Sequence, residues 1–127
     1  MAESGGGSIV ITSSVAGVSG SPGVSAYNTS KHAVIGLMRS LCKEGGPLNI
    51  RVNTVNPAPI EGRMIESLER GAMPESPEVM RAAMIEAIPV GRYGVPSDVA
   101  NVMLFLASEE SRFLNGGVYM VDGGLTA

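Results

Sequence analysis

Residues Ser14 to Lys31 read SVAGVSGSPGVSAYNTSK, and they join a short apolar run, Ser8-Ile9-Val10-Ile11-Thr12, to a long stretch of helix formers. The run reads as a buried strand from about Ser8 to Ser13. The twelve residues between Ser14 and Tyr27 are rich in Gly, Ser and Pro, so they can loop from the strand's end to the helix's start. Tyr27 and Lys31 stand at i and i+4, which stacks them on one helical face. A serine hydroxyl, a phenol and an ammonium are thus placed where one oxygen-bearing carbon can meet all three.

That trio suits proton transfer to a carbonyl oxygen or from an alcohol. A free phenol, with a pKa of about 10, is a poor base near neutrality. An ammonium one turn away favours phenolate and moves Tyr27 towards the useful range for a general acid or base. Ser14, a hydrogen-bond donor, would hold and polarise the substrate oxygen. Tyr and Lys one turn apart also occur by chance on many amphipathic helices. The strand end, the glycine-rich loop and the serine separate this case from coincidence.

Outward from this centre, a helix runs from about Ala26 to Glu44 and stops at Gly45-Gly46-Pro47. Val34, Leu37, Met38, Leu41 and Cys42 form its apolar stripe. Ile50 to Val55 is a second strand, with β-branched residues at Ile50, Val52 and Thr54. Ser76-Pro77-Glu78 supplies an N-cap, a proline at N1 and an acid in the first turn for a helix to about Ala87. Ser97-Asp98 starts another, to about Ser108, with Val99, Val102, Met103 and Leu106 on its apolar face. Val118 to Val121 is the last strand. Strands alternating with helices predict an α/β fold with a parallel, right-handed βαβ sheet.

The chain's 127 residues suit one domain, long enough to bury a core, with 44% apolar and 17% charged residues. A net charge of −3, few aromatics and no Trp argue against nucleic acid or an anionic membrane as the main partner. A lone cysteine, Cys42, permits no internal disulfide and fits a reducing, cytoplasmic setting. The lone His32 builds no metal site; about 100° round the helix from Lys31, it reads as a packing or subunit-contact residue. No run approaches the ~18 apolar residues of a membrane span, and the N-terminal residues lack the pattern of a signal peptide.

Ser14 followed by Tyr27-Asn28-Thr29-Ser30-Lys31 resembles the Ser…Tyr-x-x-x-Lys signature of the short-chain dehydrogenases/reductases. The resemblance continues through Asn56-Pro57 and Val121-Asp122-Gly123-Gly124, so it covers essentially the whole chain. It implies a Rossmann-like three-layer parallel sheet, here truncated to its C-terminal half, residues 1–127 forming a partial domain. The resemblance also implies an oxidoreductase that moves hydride between NAD or NADP and a secondary alcohol or ketone (3-oxoacyl, steroid, sugar or other alcohol). Ser14, Tyr27 and Lys31 would be catalytic. Cofactor contacts would fall to Thr12, Tyr27, Lys31, Pro57, Ala58 and Ile60.

The departures from the family are equally specific. A phosphate cradle needs its glycines after a strand, and Gly5-Gly6-Gly7 precede one. Gly17, Gly20 and Gly23 follow the strand with the spacing G-x-x-G-x-x-G rather than G-x-G-x-x-G. In family terms, the resemblance implies that the dinucleotide-binding N-terminal half (the first four strands and the adenine-binding motif) and the catalytic-site asparagine are absent. After the second strand, Pro57-Ala58-Pro59-Ile60-Glu61-Gly62 keeps a backbone at Ile60 that can bond a carboxamide, whereas Gly62 stands where the family has a threonine. Gly62→Thr is accordingly expected to add the 0.5–1.5 kcal/mol or so of one hydrogen bond, if the loop keeps the family path. Ala58 to Pro89 corresponds to the substrate-covering segment. Its Met64, Met73, Met80 and Met84 fit a core as well as a pocket lining, and Arg63, Arg70 and Arg81 read as solvated helix charges.

Three functions compete. One is the oxidoreductase half-site with a small alcohol or ketone as substrate. Another is a truncated or split chain, silent alone, acting as a folding or oligomerisation partner through a homo-oligomer or a separately supplied N-terminal half. The third, a Ser/Lys hydrolase, is weakest: no Ser sits three before Lys31, and Gly23-Val24-Ser25-Ala26-Tyr27 fails a nucleophile elbow at its last position.

Overall fold

The apolar and β-branched stretches of the sequence become three strands, β1 (Gly7–Thr12), β2 (Ile50–Pro57) and β3 (Val118–Val121), hydrogen-bonded in the order β1-β2-β3. Both pairings are parallel, with Ile9 opposite Val52 and Val55 opposite Tyr119. The computed structural model describes all 127 residues. Helix α1 (Ser25–Gly45) connects β1 to β2, and α2 (Arg63–Ala72), α3 (Pro77–Glu86) and α4 (Pro96–Ala107) lie between β2 and β3. This is the expected α/β, Rossmann-like layering.

The two faces of the sheet are built differently. Alternation sends Ile9, Ile11, Ile50 and Val52 towards α1, where they pack with Ile35, Met38, Leu41 and Cys42 into the main apolar cluster. Met38 and Val52 are wholly buried. The expected stripe is rotated here, because Leu37 is 53% exposed and Ile35 takes the inward position. Residues 33–38 are apolar or glycine all round the helix, so periodicity alone cannot choose the face that meets the sheet.

The opposite face meets α4 largely through polar groups. Arg51 donates to the carbonyls of Leu106, Ser108 and Leu114, and Asn53 bonds Leu114 O and Gly117 N. The Arg51 bonds to Leu106 O and Ser108 O serve carbonyls at the end of α4, and the others tie β2 to the segment that leads into β3. Leu106 is buried as expected, with Val99, Val102 and Met103 half-buried beside it.

Three local expectations change. Helix α2 is an element that the sequence reading did not delimit. Ser76 precedes α3, with Pro77 at the first position, but its side chain makes no capping bond. Helix α4 starts at Pro96, and its amide end is served by Asp98, which accepts from Val95 N at 2.9 Å, rather than by Ser97. The Arg92 guanidinium at 2.8 Å and that amide hold the Asp98 carboxyl below the usual carboxylate range.

Candidate functional site at the carboxyl ends of the strands

In a parallel sheet of this kind, side chains that serve ligands gather beyond the carboxyl ends of the strands, where loops diverge. Ser14 lies just past β1, and its extended backbone turns the chain into a single 3-10 turn, Val15–Gly17. Its Oγ caps that turn by accepting from Ala16 N at 3.1 Å. The nearest acceptor for its own hydrogen, Pro57 O, is 3.5 Å away, long for an O–H···O bond. The hydroxyl therefore keeps a proton that it can give to a ligand oxygen.

The turn is pressed against α1 at the level of Lys31. Ser13 Oγ donates to Lys31 O at 3.0 Å, and Gly17 supplies the room. A Cβ at Gly17 would meet Ser13 Oγ, come within 2.9 Å of Ile35 Cδ1 and stand 3.0 Å from Lys31 O. Gly17→Ala is thus expected to cost about 1–3 kcal/mol of stability, read as a fall in Tm. An unchanged Tm would show that the turn can back away from the helix.

On α1, Tyr27 and Lys31 do share a face. Lys31 Nζ donates to Thr12 O at 3.3 Å and lies 5.6 Å from the centre of the Tyr27 ring. The ammonium is thereby held between the end of β1 and the phenol. Tyr27 is 36% exposed, and its hydroxyl enters no hydrogen bond within the chain. His32 points elsewhere, its Nδ1 2.9 Å from Asn28 O on an exposed part of the helix.

The loop after β2 is fixed at its edges and free in the middle. Ala58 N donates to Val121 O at 3.1 Å, Glu61 N to Gly94 O at 2.9 Å and Gly94 N to Pro59 O at 3.0 Å. The backbone N–H and C=O of Ile60, between those anchors, make no bond in the chain. They are the groups that a carboxamide needs.

The backbone at Gly62 argues against the gain expected of a threonine there. Its φ is +147°, a conformation that a β-branched residue enters only at a cost of about 1–3 kcal/mol. Space is not the obstacle, since nothing lies within 4 Å of a Cβ there. Gly62→Thr is therefore expected to lower Tm and leave cofactor affinity no tighter; a tighter titration at unchanged Tm would show that the loop relaxes to the family path.

Asn56, read in the sequence only as a landmark, has a positioning role. Wholly buried in β2, it donates from Nδ2 to Ser14 O at 2.9 Å. The signal was present in an amide inside a buried strand, which seeks partners; here Nδ2 finds Ser14 O while Oδ1 is buried without one. Two clefts flank the trio without containing it. One, of about 400 Å³, is lined by Ala58, Arg92, Asp98 and Asp122; the other, of about 660 Å³, runs between Val15, Val18 and Met120. The second comes nearer, through the turn that Ser14 caps. Burial opposes ionisation of Asp122, yet bonds from Thr126 Oγ1 and the Gly124 and Thr126 amides outweigh it and keep its pKa low. No helix is long and apolar enough to cross a membrane.

Comparison with known proteins gives a consistent picture. A family model described as Enoyl-(Acyl carrier protein) reductase matches residues 1–126. The 3-oxoacyl-[acyl-carrier-protein] reductase FabG of Thermotoga maritima is 47% identical over 119 residues, which are 94% of this chain and 45% of that protein. The crystal structure of levodione reductase superposes with a TM-score of 0.95 at 36% identity, covering 98% of this chain and 48% of that one. NAD+-bound xylitol dehydrogenase superposes with a TM-score of 0.89 at 32% identity, covering 98% and 51%. The chain spans about half the length of the relatives it matches.

Proposed function

Because the chain belongs to the short-chain dehydrogenase/reductase family, we propose that it supplies the proton-transferring half of an oxidoreductase acting between NAD or NADP and a secondary alcohol or ketone. The observation that carries this reading is Lys31 Nζ, anchored on Thr12 O and set 5.6 Å from the ring of a Tyr27 whose hydroxyl is free. Nicotinamide, when bound, supplies or takes up the hydride. Everything else falls to this chain's residues.

Tyr27 gives a proton to the carbonyl oxygen in reduction and takes it back in oxidation. The Lys31 ammonium compensates the negative charge that Tyr27 then carries, and its remaining hydrogens can bond the nicotinamide ribose. Ser14 Oγ donates to the same substrate oxygen and fixes the carbonyl's direction, with Asn56 holding the Ser14 backbone. Ile60, flanked by Pro57 and Ala58, offers its free N–H and C=O to the carboxamide. These contacts concern the nicotinamide end, which NAD and NADP share, so both remain in the proposal.

Substrates are small alcohols or ketones, in the 3-oxoacyl, steroid or sugar classes. The open outer edge of β1 supports a further element of the proposal: a second polypeptide segment, from another copy or from a complementary N-terminal half, completes the sheet. The test is to mix the purified chain with the N-terminal portion of its Thermotoga relative and follow NAD(P)H oxidation against a panel of ketones. Turnover in the mixture is expected. A folded mixture that binds cofactor yet reduces none of them would refute the proposal.

A further inference from the structure

We infer that Arg81, together with Glu61, Glu69 and Tyr93, forms a latch that fixes the α2–α3 hairpin to the loop after β2, so that hairpin and loop take up their positions together. Arg81 was expected to be a solvated charge, and the structure gives it three partners instead. From α3 its guanidinium bonds Glu61, which follows Ile60 in the loop, and reaches Glu69 Oε1 on α2 at 3.6 Å. Its Cζ lies over the Tyr93 ring, 4.6 Å from the centroid. Tyr93 Oη donates to the same Glu69 oxygen at 2.8 Å. One arginine thereby ties together four segments: the loop, both helices of the hairpin and the stretch leading into α4.

Apolar packing alone holds this hairpin weakly. Ile65 is its only buried apolar residue, meeting Ile88 and Tyr93, with Met84 and Ile85 packed partly against them. Met64, Leu68, Met73 and Val79 all face outward. Helix α3 buries no residue completely. An element with so little apolar anchorage opens locally unless polar contacts hold it.

The latch has such contacts at its buried end. Glu69 is 5% exposed and Tyr93 1%, so water has little access to their side of the contact. Burial first, then the neighbouring carboxylate, raises the Tyr93 pKa, which keeps its hydroxyl a donor. Removing Arg81 leaves Glu69 with one neutral partner, an uncompensated buried charge. The loop is bound into the same unit by backbone as well as side chain, since Glu61 N and Pro59 O both bond Gly94. Arg81 is thus a positioning residue, acting on the Ile60 loop through Glu61 and on α2 through Glu69.

Amide hydrogen exchange on the full chain tests this. Arg81→Met is expected to speed exchange in residues 63–86 by roughly tenfold or more while β2 amides stay within about twofold of the parent. Arg81→Lys, which keeps charge but loses the planar fork and stacking, is expected to restore only part of the protection. Should Arg81→Met fail to fold, Glu61→Gln, at a half-exposed carboxylate, provides the milder break and is expected to loosen residues 58–62 and α3. Unchanged hairpin exchange, or equal acceleration in hairpin and sheet, would overturn the latch. No cofactor or substrate is involved, so the result is separable from the oxidoreductase proposal.

Discussion

In an assembly that turns over, Tyr27→Phe is expected to lower kcat by about 10²–10⁴-fold, the usual contribution of a positioned general acid. Affinity for NAD(P)H should stay within a few-fold, because the ring that faces Lys31 is retained and only the hydroxyl is lost. Lys31→Ala should lower both turnover and cofactor affinity. The ammonium has two tasks: it balances charge on Tyr27, and from its anchor on Thr12 O it has hydrogens to offer the ribose. Near-normal kcat in Tyr27→Phe would remove the proton-transfer role from this residue. A loss in affinity as large as the loss in kcat would instead make Tyr27 a binding residue.

The chain on its own is expected to bind NAD(P)H negligibly and to elute as oligomers or aggregates. Strand β1 pairs only with β2, and its outer row of N–H and C=O groups has no neighbour in the sheet. Gly7 to Thr12 contains no Lys or Pro to blunt that edge, and Ile9, Val10 and Ile11 place apolar side chains on both faces. Leu37 on α1 leaves a further apolar side chain exposed. A second strand beside β1 would satisfy both the edge and the greasy flank. Supplying the N-terminal portion of a relative is expected to give a defined complex and to raise cofactor binding by well over tenfold. A light-scattering monomer that binds NAD(P)H at micromolar concentration would sink this expectation.

Much of this molecule was decided locally. The apolar runs at Ile9–Ile11 and Val118–Val121, and the β-branched alternation of Ile50, Val52 and Thr54, set the three strands. Gly45-Gly46-Pro47 marked where α1 gives way to the 3-10 turn Gly46–Leu48, and i, i+4 spacing put Tyr27 and Lys31 on one face whatever they packed against. Long-range geometry decided the rest. Which side of α1 turned inward depended on the close approach of the Gly17 turn at Lys31, and so Ile35 displaced Leu37. Gly62 takes its positive φ in a loop whose Pro59 and Glu61 are bonded to Gly94, a partner distant in the chain. Arg81 changed from a solvated charge to a latch because Glu61, Glu69 and Tyr93 come from three other segments. A side chain's spacing along a helix is fixed by the backbone it sits on, whereas its partner across the fold exists only once the chain has closed around it.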